Sequence, residues 1–158
     1  MKTQLLVNIL GAGAMTLAAI GAMSQPSSAQ AKTYYCSTSD DGVPTTFART
    51  VTRKPIQVIR WEFSLGGLKP AQRCQIVSDN FQKAYEQGQL NYLTWGFSNK
   101  TPVICAVSQY ARSCRDGMLL FTLKRKEDAS LVLQHLDGYT AGGPLVQSED
   151  GSPHTNSL

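Results

Sequence analysis

The four cysteines are the residues whose type and spacing indicate chemistry most directly. Cys36, Cys74, Cys105 and Cys114 are even in number, and the closest two have eight residues between them. A structural zinc site usually contains cysteine pairs about two to four residues apart, a spacing that does not occur here. We therefore expect disulfides; free buried thiols and a metal site are the alternatives. Of the three possible pairings we favour Cys36–Cys74 with Cys105–Cys114. The first ties a predicted N-terminal strand to a helix, and the second closes a short loop between neighbouring strands.

Residues suited to catalysis are sparse. His135 and His154 are the two histidines, and Asp137 lies two residues from His135, a spacing at which helical side chains do not face each other. No nucleophile elbow, phosphate-binding loop, dinucleotide fingerprint or zinc-protease motif occurs. We therefore expect neither catalytic residues nor a cofactor. The alternative is a cell-envelope hydrolase. Its catalytic triad would be brought together by folding from a histidine, a carboxylate and one of Ser78, Ser108 or Ser113.

Two groups of side chains are candidates for binding. Lys124, Arg125 and Lys126 form the densest positive run, and each basic residue contributes about 1 kcal/mol at an anionic membrane surface. The alternative for this run is a solvated connection between a strand and a helix. Aromatic side chains at Trp61, Tyr92 and Trp95 would suit a carbohydrate-binding platform if they were exposed, whereas alternating aromatics in strands are more often core.

The N-terminus indicates where these groups work. Lys2 precedes an apolar stretch over Leu5–Met23, and Ala29-Gln30-Ala31 fits the recognition pattern of signal peptidase. We predict a signal peptide over residues 1–31, cleaved after Ala31 or Ala29; a membrane anchor is the alternative, because the stretch is nearly long enough to span a bilayer. The expected location is the periplasm, the thylakoid lumen or the exterior, with peripheral membrane association as an option. Such a compartment permits disulfides.

Composition limits the remaining possibilities. The chain has 158 residues, 42% of them hydrophobic and 16% charged, which excludes a disordered chain, a coiled coil and a polytopic membrane protein. A net charge of +4 is too small to indicate a nucleic-acid surface, so we expect no nucleic-acid partner. Residues 32–147 are enough for one domain, and the polar residues 148–158 are predicted to be a mobile tail.

The elements that must position these side chains follow from periodicity and turn residues. The helix with the clearest pattern, about residues 71–87, begins after Pro70 and ends at Gly88. A second helix is predicted over 127–136, and strands over 34–38, 43–51, 56–63, 90–97, 102–108 and 118–123. This order predicts an α+β domain, disulfide-stabilised, with a mostly antiparallel sheet of about five to six strands and two helices packed on one face. Apolar residues on both faces of 90–97 and 102–108 place these strands at the centre of the sheet.

Many short motifs in order resemble one family. They are Tyr35-Cys36, then Gly42-Val43-Pro44-Thr45-Thr46 and Ala48; Ile59-x-Trp61; Arg73-Cys74, Val77-Ser78 and Phe81-Gln82; Gly88-x-Leu90-x-Tyr92-Leu93-Thr94; Pro102-Val103-Ile104-Cys105; Leu120-Phe121-Thr122-Leu123; and Gly143-Pro144-Leu145. Over residues 34–148 the chain resembles the circadian oscillating protein domain of cyanobacteria. The resemblance implies a small exported protein with this four-cysteine framework. It implies no catalytic or ligand-binding residues.

These observations together predict an exported, non-enzymatic domain that acts by binding an as yet unidentified protein or an anionic membrane surface. The signal segment, the four cysteines and the lack of a catalytic motif support this expectation. The hydrolase and the carbohydrate-binding module are the alternatives.

Overall fold

The helices and strands of the chain form two sheets rather than one. A computed structural model describes residues 31–137, 145–147 and 153–155. The chain divides between Gln30 and Ala31 into two units, and the second carries all the elements below. They are β1 (Tyr34–Thr38), β2 (Pro44–Arg49), β3 (Pro55–Trp61), α1 (Pro70–Glu86), β4 (Tyr92–Ser98), β5 (Thr101–Val107), β6 (Met118–Thr122), α2 (Ala129–Asp137), β7 (Leu145–Gln147) and β8 (Pro153–Thr155). Single turns of 3-10 helix cover Cys114–Asp116 and Lys126–Asp128.

The α+β class is confirmed, but the prediction of one sheet of five to six strands is wrong. Strands β1-β2-β3-β7-β8 form one sheet, and β4-β5-β6 form the other. All neighbouring strands are antiparallel except β3 and β7. Helix α1 follows β3 in the chain and lies between the two sheets, where it contacts β1, β2 and β3 of the first and β6 of the second. Helix α2 contacts β4 and β5 of the second sheet and also β7 and β8 of the first.

Two short strands lie beyond the predicted helices and strands. Strand β7 runs parallel to β3, with Ile59 opposite Leu145, and β8 pairs with β7. Strand β8 falls within the segment 148–158 that the sequence predicts as a tail, and the rest of that segment lies outside the described residues, as does the predicted signal peptide up to Gln30.

The core forms where α1 and both sheets meet. Helix α1 buries Cys74, Val77, Phe81 and Ala84, whose spacing of three and four residues places them on one face. Their neighbours include Trp61 of β3 and Phe121 of β6, whose rings meet edge to face at 5.9 Å. Because Phe121 belongs to the second sheet, the two sheets share one hydrophobic core.

A buried polar network fixes α1 against the first sheet. The hydroxyl oxygen of Thr46 in β2 accepts hydrogen bonds from the indole Nε1 of Trp61 and from the hydroxyl of Ser78, each at 3.0 Å. All three side chains are fully buried. Every polar group brought into the core here has a partner, and the network sets the orientation of the helix.

Candidate functional site

Strand β4 lies at an edge of its sheet. The order β4-β5-β6 places β5 at the centre, as predicted, and corrects the prediction for β4. Apolar residues on both faces suggested a central strand, because a central strand is normally covered on both sides. At an edge, the same pattern leaves part of its apolar surface exposed to solvent.

Helix α1 covers the outer edge of β6, the other border of this sheet. The side-chain amide of Asn80 donates to the carbonyl oxygen of Leu120 at 2.9 Å, and the guanidinium of Arg73 donates to the carbonyl oxygen of Thr122 at 3.5 Å. Arg73 is held between the rings of Trp61 and Phe63, at 4.6 and 5.0 Å from their centroids, and burial lowers its pKa to about 10. Side chains of α1 thus take up carbonyl groups that an additional strand would need.

Helix α1 also protects the outer edge of β1. The backbone N–H of Tyr34 donates to the side-chain oxygen of Gln82 at 2.8 Å. The disulfide between Cys36 and Cys74 ties the same strand to the same helix, with 5.5 Å between the Cα atoms. Two sheet edges are therefore closed by one helix.

The outer edge of β4 has no such cover among the described residues. Within this part of the chain no strand other than β5 pairs with β4, and no side chain hydrogen-bonds to its backbone. The strand reads Tyr-Leu-Thr-Trp-Gly-Phe-Ser and contains no charge and no proline. Edge strands usually carry charges, proline or a cover that prevents further pairing, and the seven residues of β4 include neither a charge nor a proline.

Exposed aromatic rings stand on both faces of this edge. Trp95 and Phe97, 40% and 57% exposed, share one face with their rings 5.7 Å apart. Tyr92 is 47% exposed on the other face, where its ring meets that of Tyr110 at 5.9 Å. Side chains alternate along a strand, so both sides of an added strand would contact aromatic surface. We call the outer edge of β4 with these four side chains the aromatic edge.

Local structure holds the aromatic edge rigid. Asn99 and Lys100 both have positive φ, 48° and 65°, as a tight two-residue hairpin turn between β4 and β5 requires. The disulfide between Cys105 and Cys114 packs against the middle of β4: a Cβ atom added at Gly96 would lie 3.1 Å from both Cβ and Sγ of Cys114. The absence of a side chain at Gly96 leaves the room that the disulfide occupies.

The disulfides join the same two pairs that the sequence favours, Cys36–Cys74 and Cys105–Cys114, and no cysteine is free. Disulfides persist in oxidising compartments, so they indicate an extracytoplasmic location. Among the described residues no helix is long and apolar enough to cross a membrane, and no cluster of metal-ligating side chains occurs.

The basic run is exposed but electrostatically mixed. Lys124, Arg125 and Lys126 connect β6 to the turn of 3-10 helix before α2. The guanidinium of Arg125 pairs with the carboxylate of Asp128 at 3.0 Å, and Glu127 lies between them in sequence. Three positive and two negative side chains over residues 124–128 leave a local charge of +1.

The residues considered for catalysis are not brought together. His135 is half-buried in α2, and within the described residues no hydrogen bond joins it to a serine or a carboxylate. Ser78 is used in the core network, and Ser113 caps the 3-10 turn through Arg115 and Asp116. His154 lies in β8, and its side chain is outside the described part.

The aromatic residues considered for sugar binding are divided between core and surface. Trp61 is fully buried, whereas Trp95 is exposed beside Phe97. The planes of Trp95 and Phe97 are inclined by 68°, so the two rings do not form one flat stacking surface. Phe97 and Tyr110 were not singled out from the sequence; a strand of seven residues without a charge was the available signal.

Comparison with known proteins gives one match. No curated protein and no solved structure was found to be similar to this chain. The model of the family described as circadian oscillating protein COP23 matches residues 33–156, which include both disulfides, the core and the aromatic edge. The resemblance drawn from the sequence motifs is thereby confirmed, and the chain belongs to the circadian oscillating protein COP23 family.

Proposed function

We propose that the protein is an exported, non-enzymatic binding domain that receives an extended segment of a partner protein as an additional strand on β4. One observation carries the proposal: α1 closes the edges of β1 and β6, whereas the described residues leave the uncharged aromatic edge open. Strand addition is an established mode of recognition, in which backbone hydrogen bonds supply affinity and side-chain contacts supply specificity.

The aromatic edge suits a protein segment of low charge. Its rings offer apolar and hydrogen-bonding contacts at small cost in side-chain entropy, a property for which aromatic residues are enriched at interfaces. No charged side chain occurs within β4, so an uncharged, alternately apolar segment is the best match. A rigid strand also loses little conformational freedom on binding.

The location belongs to the same proposal. The apolar N-terminal segment and the alanine pattern at Ala29–Ala31 support export through a cleaved signal peptide, into the periplasm, the thylakoid lumen or the medium of a cyanobacterium. Peripheral membrane attachment through Lys124, Arg125 and Lys126 is the less favoured route, because nearby carboxylates reduce the local charge to +1 over residues 124–128.

Site-specific photo-cross-linking in intact cells tests the proposal. A benzophenone amino acid replaces Trp95 in β4 or, as a matched control, Leu119 in β6; their exposed fractions are 40% and 41%. We expect a defined cross-linked peptide from position 95, none from 119, and loss of the product when Thr94→Lys adds a charge to the edge. Equal labelling at both positions, or labelling unaffected by Thr94→Lys, refutes binding at β4.

A vesicle assay separates the membrane route. The exported protein is sedimented with anionic liposomes, alone and with Lys124, Arg125 and Lys126 each changed to Glu. We expect little binding at about 0.15 M salt, where charges more than about 8 Å apart are screened. Strong binding that the triple change abolishes would favour the membrane surface over a protein partner.

A further inference from the structure

We propose that the strand received by β4 is β4 of a second copy, paired antiparallel about a two-fold axis at Trp95. This inference rests on the proposed function, because it uses the same open edge and names the occupant. Trp95 is the middle residue of the seven in β4, so a two-fold axis there aligns the whole strand with its copy. Such self-complementary pairing is the usual geometry of a symmetric dimer.

The side chains of β4 match in this register. Trp95 meets its own copy, Leu93 lies opposite Phe97 of the second copy, and these contacts all fall on one face because side chains alternate. On the other face Thr94 lies opposite Gly96 of the second copy, and Tyr92 opposite Ser98. Apolar side chains thus meet apolar ones on the first face, and on the second face each pair joins a hydroxyl-bearing side chain to a small residue, so no pair opposes the strand contact.

Charged residues lie just outside both ends of β4. Lys100 follows one end of the strand; at the other end Asp137 lines both surface cavities beside Asn91, Tyr92 and Leu93, and Arg112 lines one of them. Antiparallel pairing brings the Lys100 end of one copy to the Asp137 end of the other. Strand β4 itself contains no charged residue, so no like charges repel each other when two copies of the strand pair.

The size of the interface indicates a reversible dimer. Tyr92, Trp95 and Phe97 are 47%, 40% and 57% exposed, and an aromatic side chain has about 150–250 Å² to bury. The rings of two copies therefore contribute about 430–720 Å². Stable interfaces bury about 1,200–2,000 Å² in total, so even with the added backbone contacts this dimer lies at the small end and exchanges readily with another strand.

Association is measured by sedimentation equilibrium on the protein after it has been exported to a bacterial periplasm and purified from it. We expect a concentration-dependent rise toward twice the monomer mass, and at least a tenfold weaker association for Thr94→Lys. The matched change Leu119→Lys, on the covered edge of β6, should leave association unchanged. A protein that stays monomeric up to about 1 mM, or that loses association equally with both changes, overturns the proposal.

Spin-label distances test the register. Single cysteines replacing Thr94 and Ser98 are labelled after peptide mapping verifies the native disulfides. With the axis at Trp95, a strand rise of about 3.4 Å per residue separates the two copies of position 94 by about 7 Å along the strand and those of position 98 by about 20 Å. Equal distances indicate parallel pairing and overturn the proposal. Absence of a dimer, together with a photo-cross-link from position 95 to another protein, refutes self-pairing but not strand addition.

Discussion

Replacing Thr46 by valine should destabilise the protein far more than the small change in shape suggests. The hydroxyl oxygen of Thr46 is the common acceptor for Trp61 and Ser78, each at 3.0 Å, in a fully buried site. Valine has nearly the same volume, so no cavity forms. Two buried donors lose their partner instead, and an unsatisfied buried donor costs about 1–3 kcal/mol. We expect a loss of about 3 kcal/mol in the free energy of unfolding, because the Ser78 hydroxyl can turn toward a helix carbonyl and recover part of its share.

Urea unfolding followed by tryptophan fluorescence measures this loss, since Trp61 is buried at the network itself. Thr46→Ser is the control: it keeps the acceptor and removes one methyl group, for a loss of about 0.8 kcal/mol. Ser78→Ala should cost about 1 kcal/mol less in the Thr46→Val background than alone, because its donor is already unpaired there. A loss below about 1 kcal/mol for Thr46→Val, or additive effects in the double variant, would refute the network's role.

Three further outcomes follow from the disulfides, the covered edge and one ion pair. Replacing Cys36 and Cys74 by alanine should lower the free energy of unfolding by about 3.9 kcal/mol and replacing Cys105 and Cys114 by about 2.7 kcal/mol, since the first closes the longer loop; chemical denaturation giving the reverse order would contradict this. Asn80→Ala, which frees the Leu120 carbonyl on β6, should cost about 1 kcal/mol and increase association seen by light scattering, and unchanged scattering would count against edge protection. The guanidinium of Arg60 and the hydroxyl of Ser39 hold the pKa of Asp41 well below its usual range. The ionised Asp41 therefore stabilises the fold above about pH 4, and this contribution is lost as the pH falls further. Asp41→Asn should be less stable than the wild type at neutral pH and equally stable in strong acid; a difference that persists in strong acid would show that Asp41 is not the source.

Local patterns were sufficient for most helices and strands. Strand β1 was predicted over its observed residues, and α1 within one residue of each end, because Pro70 and Gly88 mark its limits and its apolar residues repeat at helical spacing. The exceptions are β7 and its partner β8, which have three residues each and no periodicity of their own. Strand β7 pairs with the edge of β3, and β8 pairs with β7, so both depend on contacts between residues distant in the sequence.

Sheet membership and exposure depend on long-range packing and could not be predicted in the same way. Trp61 and Trp95 both lie in alternating strands, yet one is fully buried and the other is at an open edge. What separates them is the position of α1, which packs against β3 and β6, whereas β4 packs mainly against β5, α2 and the 3-10 turn at Cys114–Asp116. The prediction for β4 failed because apolar residues occur on two faces both in a central strand and in an edge strand whose rings are exposed.

The Gly96–Cys114 contact has a consequence for how sequences of this family can vary. A side chain at position 96 would need the space that Cys114 fills, and the disulfide would lose its backing if that space were opened. An alanine at position 96 would require Cys114 to shift by a few tenths of an ångström, and a larger side chain would compete more strongly with the disulfide for this space. The two sites should therefore covary across relatives, with larger residues at 96 favoured in members that lack the second cysteine pair.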